Sequence, residues 1–152
     1  MITEFQLLDA PAVPTVVVKR AEVAATHLPE LFDATFARFH AAIAEGVVAP
    51  SGPPFGLYLR MEDTLDIEIG FPGVLQSPDE NLVASELPAG RIASAQYWGS
   101  FDGLPLAWAE FVSHVAGQGL SVAGPCWESY VTMPEPNMDP TTIRTDLFCA
   151  VS

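Results

Sequence analysis

The stretch Cys126-Trp127-Glu128-Ser129-Tyr130-Val131 places a carboxylate among apolar and aromatic residues, with a phenol two positions on and no basic residue close by. Side chains alternate along a strand, so Glu128 and Tyr130 point to one side while Trp127 and Ser129 point to the other. A carboxylate buried there without a partner is costly, and it must either hold a proton or await a cation. An earlier stretch, Gly52-Pro53-Pro54-Phe55-Gly56-Leu57-Tyr58, can be laid on Gly124-Pro125-Cys126-Trp127-Glu128-Ser129-Tyr130, putting Gly56 where Glu128 stands and Tyr58 where Tyr130 stands. If the two strands line a common cleft, it holds two tyrosines, one carboxylate and a gap at Gly56, a shape that admits a flat molecule.

Two chemistries suit this set. The first is binding of hydrophobic aromatic small molecules, cations favoured, with Glu128 as counter-ion and aromatic faces from Tyr58, Tyr130, Trp98 and Phe101. Met61 and Met133 lie just past the two tyrosine-bearing strands and offer an adaptable rim. The second is hydrolytic, with Glu128 as the general base that activates water and Tyr130 or Tyr58 donating to the developing oxyanion. No Ser-His-Asp set, G-x-S-x-G elbow or phosphate loop supports another hydrolytic or phosphoryl-transfer class. His27, His40 and His114 are scattered, and Cys126 and Cys149 form no C-x-x-C pair, so neither a metal site nor a cofactor is expected. Both cysteines fall in apolar strand-like runs and read as ordinary buried thiols with no redox motif.

The whole-chain balance agrees. With 152 residues, 49% hydrophobic and 16% charged, the sequence suits a single domain spanning 1–152 that buries its own core. Its formal net charge of −13 repels phosphate backbones and anionic lipid, which disfavours direct nucleic-acid and membrane binding and favours positively charged partners. No apolar run reaches the roughly 18 residues of a membrane span, and the acidic start Met1-Ile2-Thr3-Glu4-Phe5 is unlike a signal peptide. A cytoplasmic location is expected. A protein partner recognised by acidic mimicry, or a homodimer, stays open.

The elements that must hold these residues read as one unit made twice. Val16-Val17-Val18-Lys19-Arg20 and Arg91-Ile92-Ala93-Ser94-Ala95-Gln96-Tyr97-Trp98 suit strands, and each leads to a Leu-Pro pair that suits a helix start. Leu28, Leu31, Phe32, Phe36, Phe39 and Ile43 recur at helical spacing, as do Leu104, Trp108, Phe111, Val112 and Val115, so both stripes are expected to be core. After each helix come a Gly-Pro turn and two strands, Thr64-Leu65-Asp66-Ile67-Glu68-Ile69 matching Thr142-Ile143-Arg144-Thr145-Asp146-Leu147. The expected fold is α+β: β-α-β-β repeats over about 12–71 and 88–151, forming one mostly antiparallel sheet with two helices on one face and a ligand cleft between the halves. The segment from about Phe71 to Leu87 is read as the link, and about a dozen residues precede the first strand.

On the paired stretches Gly124-Pro125-Cys126-Trp127-Glu128-Ser129-Tyr130 and Gly52-Pro53-Pro54-Phe55 with Tyr58, and on Gly70-Phe71-Pro72, the chain resembles the GyrI-like small-molecule-binding family. The resemblance covers about residues 12–151. It implies an effector-binding domain like those of multidrug-responsive bacterial regulators, with an aromatic pocket around a buried Glu that takes lipophilic, often cationic, drugs. Glu128 carries over, with Tyr130 and Tyr58 as walls. Other relatives resemble hydrolases of strained cyclopropane-bearing DNA-alkylating compounds, which would use the same Glu and Tyr. The chain departs from relatives with His-x-Gly-x-Tyr before the second helix, having Tyr97-Trp98-Gly99-Ser100-Phe101 instead. Without a winged-helix segment ahead of the fold, a free-standing effector domain is expected, with any effect on transcription passing through another chain.

Overall fold

The computed structural model describes residues 2–132 and 135–152, without the side chain of Met61. In chain order the elements are β1 (Ile2–Ala10), β2 (Val13–Val23), α1 (Leu28–Ala44), β3 (Val48–Pro50), β4 (Phe55–Met61), β5 (Leu65–Leu75), β6 (Val83–Leu87), β7 (Gly90–Trp98), α2 (Leu104–Gly117), β8 (Val122–Ser129) and β9 (Arg144–Val151). They gather into two compact units, residues 1–11 with 89–152, and residues 12–88. The class is α+β with antiparallel strand pairing.

In the unit that includes the C-terminus, the strands run β1-β7-β9-β8. One face of β9 is buried at Thr145, Leu147, Cys149 and Val151. Helix α2 covers that face through Ala107, Phe111 and Val115. Ala93 and Ala95 of β7 leave room for the helix to come close, and Phe5 of β1 closes the end of the cluster with its ring 5.9 Å from Phe111. Pro105 sits in the first turn of α2, where its missing N–H costs nothing.

In the other unit the strands run β4-β5-β2-β6, with β3 pairing the far end of β5. Helix α1 seats Phe39 and Ala42 on Val16 and Val18, and Phe71 of β5 meets Phe39 at 5.3 Å. Gly46, at φ 76°, follows the end of α1 in the left-handed conformation that glycine tolerates best. Gly70 is required by close approach: a Cβ there would lie 1.9 Å from the carbonyl oxygen of Val16 on β2.

In chain order one unit holds β2, α1, β3, β4, β5 and β6, and the other β1, β7, α2, β8 and β9. Three sequence expectations need correction. Residues 2–10 are a strand, β1, paired with β7 from Ile2↔Tyr97 to Ala10↔Gly90, so the first strand begins well before Val16. Edge pairing supplies its hydrogen bonds, and the lack of strict apolar alternation along Ile2, Phe5, Leu7, Leu8 and Ala10 masks it in the sequence. Nor is 71–87 merely a link: β5 continues to Leu75, and Val83–Leu87 forms β6, which pairs with β2. Val112 of the expected core stripe is 43% exposed, because α2 seats only a narrow row on its sheet. Among the described residues no helix is long and apolar enough to cross a membrane.

Candidate functional site

Glu128 lies on β8 opposite Leu147 of β9, and so faces the side that α2 covers. It is 6% exposed. Trp108, one turn into α2, donates its indole N–H to Glu128 Oε1 at 2.6 Å. Tyr130, just past the end of β8, donates its hydroxyl to Oε2 at 2.6 Å. Both carboxylate oxygens are therefore engaged by neutral donors, which corrects the expectation of an unpartnered carboxylate. Burial pushes the Glu128 pKa above the ordinary carboxylate value, while the hydrogen bonds from Tyr130 and Trp108 pull in the other direction.

The turn between β7 and α2 sets the aromatic flank. Tyr97 donates its hydroxyl to the Ser100 carbonyl at 2.7 Å, while the Gly99 N–H donates to the Ile143 carbonyl at 2.9 Å. The chain wraps so closely around the phenol that a Cβ on Gly103 would lie 2.1 Å from the Tyr97 hydroxyl, and one on Gly99 2.6 Å from it. Phe101 follows, with its ring 5.7 Å from that of Tyr130 and tilted 59° to it. Tyr130 is buried, whereas Phe101 is 38% exposed. Trp108 sets its ring edge against Phe111 at 5.6 Å, which ties the indole to the core below it.

Of the residues singled out in the sequence, the structure brings together Glu128, Tyr130 and Phe101. Trp98 falls on the opposite face of β7 from Tyr97. There its indole N–H donates to Gln96 at 3.2 Å and its ring lies 6.0 Å from the Arg144 guanidinium carbon. It is not part of the Glu128 cluster. Gly56 and Tyr58 belong to the other unit, on β4 opposite Ile69 and Ile67 of β5 and on the face that α1 covers. Gly56 is buried and Tyr58 half-buried. Met133 lies outside the described residues, as does the side chain of Met61.

Sequence reasoning missed Trp108, which the helical stripe assigned to packing alone. The signal available was chemical: an indole in a core stripe carries an N–H that needs an acceptor when buried. Among the described residues no group of three or more His, Cys, Asp or Glu could hold a metal ion.

The Glu128 carboxylate is thus capped by an indole and a phenol beside the partly open ring of Phe101. The chain belongs to the GyrI-like small molecule binding domain family. The family model matches residues 3–152. Sequence comparison with curated proteins gives no match.

Among solved structures, the EcmrR C-terminal domain is 16% identical, with a TM-score of 0.79 over 98% of this chain and 97% of that one. In the cryo-EM complex of EcmrR with DNA, the chain spans only 57% of the EcmrR polypeptide, covering 97% of its own length at 15% identity and a TM-score of 0.77. SAV2435 bound to tetraphenylphosphonium is 12% identical, with a TM-score of 0.65 over 99% of this chain and 94% of that one. A hydrolase encoded by lin2189 from Listeria innocua is also 12% identical, with a TM-score of 0.65 over 98% and 92%. At these identities the likeness is one of fold.

Proposed function

We propose that this domain binds lipophilic aromatic small molecules, cations in preference to neutral ones, with Glu128 as the counter-ion and Tyr130, Trp108 and Phe101 as the surrounding surface. The observation that carries the reading is the Glu128 carboxylate itself: 6% exposed, with an indole and a phenol as its hydrogen-bond donors. Two neutral donors orient the carboxylate and spread part of its charge, yet they supply no countercharge. An organic cation with an apolar shell supplies that charge and gains the aromatic faces, which favour cations through their quadrupoles. The net charge of −13 steers cations towards the protein and repels anions. Tetraphenylphosphonium, the ligand in the SAV2435 structure, belongs to this chemical class.

The test is a fluorescence titration with tetraphenylphosphonium and a rhodamine-type cation against neutral analogues of equal size. Tighter binding of the cations supports the proposal, and equal affinities reject it.

The hydrolase reading rests on the Glu128–Tyr130 contact at 2.6 Å, which joins a carboxylate of raised pKa to a phenol donor. A proton acceptor and an oxyanion donor are the two groups that ring opening requires. Incubation with a cyclopropane-bearing alkylating compound, followed by product analysis, decides it: turnover that disappears in Glu128→Gln supports hydrolysis, and bound but unconverted compound rejects it.

A further inference from the structure

Cys126 and Cys149 are far apart in sequence, but the register of β8 and β9 sets them directly opposite each other. Directly opposed residues of antiparallel strands have Cα atoms about 4.5 to 5.5 Å apart. That spacing falls within the roughly 4.4 to 6.8 Å that disulfides span. Both side chains also point the same way, since Cys149 belongs to the cluster beneath α2 and Cys126 packs against that cluster.

Their exposure differs in the manner a reactive pair requires. Cys149 is fully buried at 0% exposure, whereas Cys126 is half-buried and within reach of a small reagent. Cys149 hydrogen bonding lowers the Cys126 pKa against the opposing effect of burial. Cys149 is raised by the Cys126 hydrogen bond, then by burial and by the charge of Cys126. The more accessible thiol is thus the one that ionises first, and the thiolate is the nucleophile in disulfide exchange.

We infer that Cys126 and Cys149 are an oxidisable dithiol, with Cys126 attacking a low-molecular-weight disulfide and Cys149 resolving the product into a β8–β9 cross-strand disulfide. In the first step the Cys126 thiolate attacks one sulfur of R–S–S–R, the reagent's S–S bond breaks, and one thiolate leaves and takes up a proton. In the second, Cys149 gives up its proton as its sulfur attacks that of Cys126, the mixed disulfide breaks, and the second R–SH departs. Two protein thiols are oxidised to one disulfide and the reagent is reduced to two thiols. The bond staples the strand that carries Glu128 to its neighbour two residues before the carboxylate.

The test uses the reduced, folded domain and the aromatic disulfide 5,5′-dithiobis(2-nitrobenzoate), which releases a coloured thiolate. The expected result is release of two coloured thiolates per chain, with no reagent left on the protein by mass spectrometry and a Cys126–Cys149 cross-link in the peptide map. Cys149→Ala should release one and keep the reagent on Cys126. The inference is overturned if the parent protein keeps reagent on Cys126 without closing the cross-link, or if neither thiol reacts before the chain unfolds. Peptide mapping of the parent protein decides between these outcomes even where a variant folds poorly.

Discussion

Trp108 on α2 and Glu128 on β8 meet through a single 2.6 Å hydrogen bond, so the helix start and the strand end are held together at the candidate site. The bond serves two ends. It satisfies an indole N–H that is half-removed from water, and it fixes which way the carboxylate faces.

Replacing Glu128 by Gln keeps the shape and removes the charge. The amide oxygen can still accept from Trp108, and the Tyr130 hydroxyl can turn to accept from the amide nitrogen. Binding of an organic cation should weaken by about 1 to 3 kcal/mol, the scale of a charge-assisted contact, with the circular dichroism spectrum unchanged. Titration of parent and variant with tetraphenylphosphonium checks this, and unaltered affinity means that Glu128 is not the counter-ion.

Trp108→Phe retains a ring against Phe111 but removes the donor to Glu128 Oε1. Leaving that buried oxygen without its partner should cost about 1 to 3 kcal/mol of stability, measured by urea unfolding near neutral pH. Losing a bond that favours the ionised form also raises the Glu128 pKa further. The variant should therefore need a higher pH than the parent to reach full cation affinity.

The sign of the pH dependence follows from burial raising the Glu128 pKa in the folded chain. Below the unfolded-state pKa the group is protonated in both states, and its contribution to stability is fully present. As pH rises from there through the folded pKa, the unfolded chain ionises first and that contribution is lost. Cation affinity runs the other way, rising through the folded pKa because the ionised form is the one bound. Calorimetry in buffers of different ionisation enthalpy should record proton release on binding across that window, and Glu128→Gln should record none.

Gly103→Ala tests the turn that frames the aromatic flank. Its Cβ would lie 2.1 Å from the Tyr97 hydroxyl, and Tyr97 is 5% exposed with its hydroxyl held by the Ser100 carbonyl, so the ring has little room to yield. A loss of about 1 to 3 kcal/mol in thermal or urea unfolding is expected from the overpacking. Tyr97→Phe removes the clashing oxygen, and the double variant should lose less than the sum of the two single ones. Strict additivity would show that the two residues do not collide.

Sequence alone determined what depends on local pattern. The Leu-Pro starts of both helices, the Phe39 and Phe111 rows and the burial of Cys149 in its apolar run were legible because helical and strand periods and apolar runs imprint directly on side-chain type. Glu128 stood out because its neighbours are apolar and its charge is not. Only the tertiary structure decided what depends on pairing between distant residues. Strand β1 exists because β7 offers it an edge, and β6 because β2 does. Trp108 became a donor to Glu128 because α2 docks on the sheet face to which Glu128 points, and Trp98 was turned away from that cluster because strand parity puts it on the other face. The two cysteines, unremarkable as separate buried thiols, became a facing pair through the β8–β9 register. Register and helix docking are set by the sum of many weak long-range contacts, and no single stretch of sequence carries that sum.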